Sequence, residues 1–354
     1  MVGSIRRASR NHAFDLMRIV FATLVLLSHA AELTDGNASR ELGSRLCGGS
    51  MTFGGLAVDG FFLLSGFLIV QSWDRDPELL NYLRKRVLRI VPGYLVAVIL
   101  SIAALGLAAP GVNRFFQHLG LRTLLSILLL SSPETPPVCP GSAYHLVNGS
   151  LWTIFYEFRC YLLVAMLGLL GLLRRRWICL ALVAALLLVV NSFRLLMDLS
   201  WSRFLFFTGV PPQVYRLTAV FLIGTCFYLF RDRVRFAPWY AAAAGALIVA
   251  VRLFASRKLE LAILIGGSYL LFYAGSLSLR WLDWMRRVPD ISYGIYLYGW
   301  PVEMLWIWSR HGAPWVTFAV CTPICFALGW LSWHLIERPA LTLKRRATAP
   351  LPVP

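Results

Sequence analysis

The sequence predicts an all-α protein that crosses a membrane about ten times, on three observations. Hydrophobic residues fill 58% of the chain and charged residues only 14%, whereas soluble domains run near half apolar and a quarter charged. The apolar residues come in long runs, each close to the ~20 positions a helix needs to cross ~30 Å of hydrocarbon. The basic residues behind the net charge of +17 stand in short clusters between those runs, "RKRVLR" at 84 to 89, "RRR" at 174 to 176, "RDRVR" at 231 to 235 and "KRR" at 344 to 346. Clusters so placed fit cytoplasmic loops held by the positive-inside bias, with anionic phospholipid headgroups as their partner rather than nucleic acid.

The runs can be taken in order. The first, 12 to 33, follows the basic "MVGSIRRASR" as a signal peptide would, but it is long enough to span and no small-residue cleavage site follows it. It therefore reads as a retained helix. Further spans are expected at 52 to 72, 89 to 109, 150 to 173, 177 to 196, 213 to 230, 237 to 255, 259 to 279, 290 to 309 and 314 to 337. The run at 116 to 131 is short and carries His118 and Arg122. With ten spans and both termini cytoplasmic, about 21 Lys and Arg lie inside against about 10 outside. An eleventh crossing at 116 to 131 would turn every later basic cluster outward, so this stretch is expected as one short non-spanning helix. The resulting organisation is a cytoplasmic N-terminus at 1–11, a membrane domain at 12–339 and a disordered cytoplasmic tail at 340–354, with a last stretch that reads "ATAPLPVP".

The seven cysteines show no CxxC or metal-ligand spacing, and no metal is expected. Five lie in expected spans and read as small core hydrophobes. Cys47 and Cys139 fall in loops placed outside, where a disulfide between them is an open alternative.

Ionisable groups inside a membrane are costly and mark functional positions by default. Arg18 and His29 are eleven residues apart in "FDLMRIVFATLVLLSHA", which returns to the same helix face with a rise of roughly 16 Å. Asp59 in "GGLAVDGFFLLSGFLI" and Glu157 in "SLWTIFYEFRCYLL" each enter from the outer side about two turns into their spans. His29, Asp59 and Glu157 are thus expected at one level of the outer half. A histidine with a carboxylate beside it can take a proton from a hydroxyl, the carboxylate orienting the ring. Arg18, deeper on the same face, suits an anionic or carbonyl-bearing ligand from the cytoplasm, and Arg86 with Arg89 at the inner mouth suits phosphates. The plainer alternatives are an Arg18 pair with Asp15, a helix-packing His29, Asp59 and Glu157 as glue between helices, and arginines that only set topology.

These residues carry a resemblance. The Arg-x10-His pattern of the first helix, the Gly-rich second span ending in Ser65, Gly66 and Phe67, "YLRKRVLRIVPGY" with Arg86, Arg89 and Pro92, "GSLWTIFYEFRCYLL" with Glu157, and "WHLIERP" with Glu337 and Pro339 follow one another in the order of the integral-membrane acyltransferase-3 family. That family O-acylates sugars of surface polysaccharides, lipopolysaccharide and Nod factors in bacteria. The resemblance implies a multi-pass enzyme of the bacterial cytoplasmic (inner) membrane. Its donor would be acyl-coenzyme A, most often acetyl-coenzyme A, and its acceptor a carbohydrate or lipid-linked glycan. His29, Glu157 and Asp59 become the catalytic set, Arg18, Arg86 and Arg89 the donor ligands, and Trp152, Ser65, Tyr296, Glu303 and Glu337 the substrate-binding set. The family block "SYxxYLxHxP" appears as "SYGIYLYGWP", with Gly299 where the histidine stands. The glycine is expected to leave room in mid-membrane, with Glu303 one turn on and able to fill it. Trp152, Trp201 and Trp300 are aromatics that could stack on a sugar ring.

Two mechanisms remain open at this point, His29 as general base or as a transient acyl carrier. A secondary transporter using the same polar residues as a proton and substrate relay is the rival class.

Overall fold

The computed structural model describes residues 11–193, 211–277, 280–310 and 312–346. Trp201 and the stretch "ATAPLP" onward lie outside them. The regular structure of the described residues is helical, with no β-strand. The helices are α1 (His12–Asp35), α2 (Leu42–Leu46), α3 (Phe53–Arg75), α4 (Leu79–Gly106), α5 (Val112–Gln117), α6 (Leu121–Leu128), α7 (Trp152–Leu169) and α8 (Arg176–Phe193). They continue with α9 (Pro211–Leu229), α10 (Pro238–Phe254), α11 (Leu259–Ala262), α12 (Ser268–Ser276), α13 (Ser292–Arg310), α14 (Pro314–Ser332) and α15 (Arg338–Arg346). Two π-turns, Ile263–Gly267 and Trp333–Glu337, join α11 to α12 and α14 to α15.

Among the described residues, each of the ten expected spans falls largely on helix. Six stretches are long and apolar enough to cross a membrane: His12–Asp35, Phe53–Arg75, Leu79–Gly106, Gly149–Leu169, Ser256–Ser276 and Pro314–Leu343. The apolar helices Arg176–Val190, Gln213–Leu229 and Pro238–Phe254 are shorter. At 1.5 Å per residue a 17-residue helix such as α10 rises roughly 26 Å, just under the hydrocarbon thickness. The chain is a multi-pass all-α protein.

The stretch expected as one helix at 116 to 131 is broken in two. His118 turns its Nδ1 onto the Arg114 carbonyl at 2.7 Å, and Gly120 takes an extended conformation as the cap of α6. At 8 residues, α6 is too short to cross. Its buried face is polar: Ser126 hydrogen-bonds the Thr123 carbonyl at 2.8 Å and accepts from the Glu134 amide at 3.1 Å. Leu121, Leu124 and Leu128 point outward, as suits a helix lying against lipid. Helix α15 runs through Arg346, so residues 340–346 of the expected disordered tail are helical. None of the seven cysteines is in a disulfide; Cys139 is fully buried in an apolar cluster with Leu105, Val138 and Trp300.

The chain divides into two compact units. The first comprises the residues up to Phe21, Gly43–Pro77 and Tyr156–Arg287. Its axis is the crossing of α3 and α9, where a Cβ on Gly66 would lie 1.9 Å from the Phe221 carbonyl oxygen and a Cβ on Gly224 would lie 2.0 Å from that of Leu63. Small residues let two backbones touch in this way where lipid provides no hydrophobic drive between helices. Helix α3 starts cleanly because the Thr52 hydroxyl accepts from the Gly55 amide at 2.9 Å. Two basic clusters meet acid here, since Arg176 donates to both oxygens of Asp232 at 3.0 and 3.1 Å.

The second unit comprises Ala22–Leu42, Glu78–Phe155 and Val288 onward. In it α13 and α14 pack at Gly294, where a Cβ would meet the Gly329 Cα at 2.7 Å. The loop between α6 and α7 is anchored to α13 and α4 by Asn148, whose side-chain amide donates to Leu297 O at 2.9 Å and Ser101 Oγ at 3.1 Å while its oxygen caps the turn before α7.

Candidate active site

In the second unit His29 lies in the last third of α1, half-buried. Its Nδ1 is enclosed and has no hydrogen-bond partner among the described residues. The ring's recorded aromatic neighbour is Trp300 on α13, edge to face with centroids 5.1 Å apart. Trp300 is 4% exposed, so it cannot stack on a sugar. It packs edge to face on Tyr144 at 5.5 Å and donates its indole N–H to Leu146 O at 3.3 Å. Tyr144 in turn donates to Glu32 Oε1 at 2.8 Å. Glu32 is one turn beyond His29 on α1. Burial and this bond push the Tyr144 hydroxyl up to about 12.

The room expected at Gly299 is already filled. A Cβ there would come within 2.5 Å of Leu26 Cδ2, because Leu26, one turn before His29, reaches into the gap. Glu303 does not take that role. It is fully buried, and neither carboxylate oxygen has a hydrogen-bond partner among the described residues. The Tyr296 hydroxyl is held between Thr153 Oγ1 at 2.6 Å and Ser150 O at 2.7 Å, a tie between α13 and the start of α7. Trp152 at that start is 37% exposed.

At the other end of the same unit Arg89 donates to Asp290 Oδ2 at 2.5 Å and to Glu337 Oε2 at 3.3 Å. Its guanidinium also lies over Tyr293 and Trp333, 5.9 and 5.7 Å from their ring centroids. The π-turn at Trp333–Glu337 swings Glu337 inward, where it also accepts from Ser332 Oγ at 3.1 Å. Arg86, one turn away, lies over Tyr82 at 5.7 Å. Of the two arginines assigned to phosphates, Arg89 is therefore bound to two carboxylates.

The first unit holds the carboxylates expected beside His29, and each has partners of its own. Asp59 accepts from Arg216 Nη2 at 2.7 Å, and Arg216 Nε donates to Glu260 at 2.7 Å. Glu157 Oε1 accepts from Tyr161 at 2.5 Å and from Ser65 at 3.0 Å. A cavity of about 220 Å³ lies beside Asp59, lined by Met17, Phe21, Gly60, Leu63 and by Ile263, Leu264 and Gly267 of the π-turn. Arg18 sits between Met17 and Phe21 on α1.

The acyltransferase domain family matches residues 11–334. The chain belongs to the acyltransferase-3 family. Among its relatives are an O-acetyl transferase of Shigella phage Sf6, 26% identical over 94% of this chain and 97% of that protein, and Nodulation protein 10 of Rhizobium leguminosarum bv. viciae, 28% identical over 95% of each. No solved structure matches. The matches run over almost the full length of the chain, so the acyltransferase-3 assignment covers both units and not one motif. With its apolar helices, it makes this chain a multi-pass membrane acyltransferase.

Proposed function

We propose that this acyltransferase moves an acyl group, most simply acetyl, from acyl-coenzyme A in the cytoplasm to a hydroxyl of a carbohydrate or lipid-linked glycan outside the bacterial inner membrane. One observation carries this reading: His29 stands eleven residues beyond Arg18 on one face of an unbroken helix, half-buried, with Nδ1 enclosed and without a hydrogen-bond partner among the described residues. That arrangement leaves Nε2 to meet a substrate. The acceptor hydroxyl oxygen attacks the thioester carbonyl carbon as Nε2 takes the hydroxyl proton. The carbon–sulfur bond then breaks, and the proton passes to the departing thiolate, leaving an ester and free coenzyme A. The name of the phage relative, an O-acetyl transferase, supports acetyl transfer to an oxygen.

Arg18 and Arg86 are the proposed ligands of the donor's carbonyl and phosphates. Arg89 joins them only by releasing Asp290 or Glu337. Asp59 and Glu157 are proposed to act through the groups they hold, Arg216 for the first and the Ser65 and Tyr161 hydroxyls for the second. Basic loop clusters would rest on anionic headgroups.

The test uses purified protein in lipid nanodiscs, radiolabelled acetyl-coenzyme A and a glycan extract from host cells lacking the gene. Label moves to the glycan with the native protein and not with His29→Ala. Transfer that survives His29→Ala refutes the proposal. A labelled enzyme intermediate that vanishes in His29→Ala selects the two-step route through acyl-histidine.

A further inference from the structure

We infer that Trp300 is a positioning residue for His29, and that the outer loop holds it there through Tyr144 and Glu32. The inference rests on the reading of His29 as the group that takes the acceptor proton. In most histidine-based sites a carboxylate or carbonyl bonded to one ring nitrogen fixes the ring. Here Nδ1 has no such bond among the described residues, and an edge-to-face ring contact stands in its place.

That contact restrains His29 only if Trp300 is itself fixed, and four features fix it. The indole N–H bonds the Leu146 carbonyl. Tyr144 packs edge to face against it. Gly149 admits the far edge of the indole, for a Cβ there would lie 2.6 Å from Trp300 Cη2. Leu33, Val147 and Met304 complete the apolar surround. The Tyr144 hydrogen bond to Glu32 then closes a circuit that leaves α1 at His29, passes through Trp300 and Tyr144, and returns to α1 one turn later. Each contact is directional, since edge-to-face rings and hydrogen bonds lose energy as they tilt. A circuit of directional contacts fixes the ring's angle as well as its place.

This assigns a role to the loop between α6 and α7 beyond connection. It sets the orientation of the proton acceptor from the side on which the proposed glycan arrives. It also gives the residue next to Gly299 a purpose in a chain where that position lacks the family histidine.

The assay above, run over a range of acetyl-coenzyme A concentrations up to saturation, separates the alternatives. Trp300→Ala is expected to lower kcat about 10- to 100-fold, the scale of misplacing a reacting group by about 1 Å, with KM for acetyl-coenzyme A unchanged. Trp300→Phe keeps an edge for the imidazole and recovers most of that loss. Tyr144→Phe removes one hydroxyl and gives a smaller fall of about 3- to 10-fold, in a protein whose unfolding midpoint stays near the native value. A Trp300→Ala protein that folds and keeps its kcat overturns the inference while His29→Ala remains dead. Equal losses in Trp300→Phe and Trp300→Ala also overturn it, as does a Tyr144→Phe protein of native kcat. Activity in His29→Ala instead overturns the reading of His29 itself.

Discussion

Replacing Gly66 by alanine drives a methyl carbon to 1.9 Å from the Phe221 carbonyl oxygen. Close carbon–oxygen contacts begin near ~3.3 Å, so α3 and α9 must part by roughly 1.4 Å. The obstacle is backbone on a helix, which cannot swing aside as a side chain would. A radial gap of that order forfeits half or more of each dispersion well, and on the order of 20 to 40 atom pairs along the crossing at ~0.1–0.2 kcal/mol each put the loss at about 1–4 kcal/mol. Overpacked cores pay a similar sum. A loss of about 2 kcal/mol lowers the ratio of folded to unfolded protein roughly 30-fold. The reciprocal contact of Gly224 on Leu63 O at 2.0 Å sharpens the expectation. Once one alanine has parted the helices the second costs less, so Gly66→Ala with Gly224→Ala falls short of the sum of the two by about 1 kcal/mol. Unfolding by titrated anionic detergent, followed by tryptophan fluorescence, measures all three variants. A Gly66→Ala midpoint equal to the native one, or strict additivity, refutes the account of this crossing. Activity is expected to fall with stability, since the neighbouring Ser65 bonds Glu157.

Two further outcomes follow from the second unit. Gly299→Ala displaces only the tip of Leu26 and costs under about 1.5 kcal/mol, whereas restoring the family histidine with Gly299→His lowers the unfolding midpoint clearly, and adding Leu26→Ala recovers it; a Gly299→His protein of native midpoint would show that Leu26 does not fill the gap. For pH, the Tyr144 hydroxyl titrates near 12 in the folded protein against ~10 in the unfolded chain. The neutral form is the one favoured by folding, so its contribution is complete below about pH 10 and fades as pH rises through 12. An ultraviolet tyrosinate titration should therefore show Tyr144→Phe losing a late-ionising group, and loss of a group titrating near 10 contradicts the buried bond to Glu32.

The helices were legible because hydrocarbon leaves backbone amides no partner but their own helix. Long apolar runs therefore had one outcome, and ten runs became helix. The exception at 116 to 131 turned on a histidine side chain capping its own helix at Arg114 and on a glycine that follows. Neither is visible in hydropathy. Asp59 was legible as a charge inside a span. Its pairing with Arg216 was not, because residues 157 positions apart carry no pattern that joins them.

The site divides in the same way. Sequence by itself determined that Arg18 and His29 share a helix face, that Arg86 and Arg89 lie one turn apart, and that the chain carries the acyltransferase-3 motifs in order, since each follows from spacing along a helix. Only tertiary structure decided who partners whom. Arg89 is bound to Asp290 and Glu337, Leu26 fills the gap at Gly299, and Trp300 touches an imidazole rather than a sugar. Helical periodicity fixes direction within one element, whereas a contact between elements depends on where several helices cross, and that is set by packing of the whole chain.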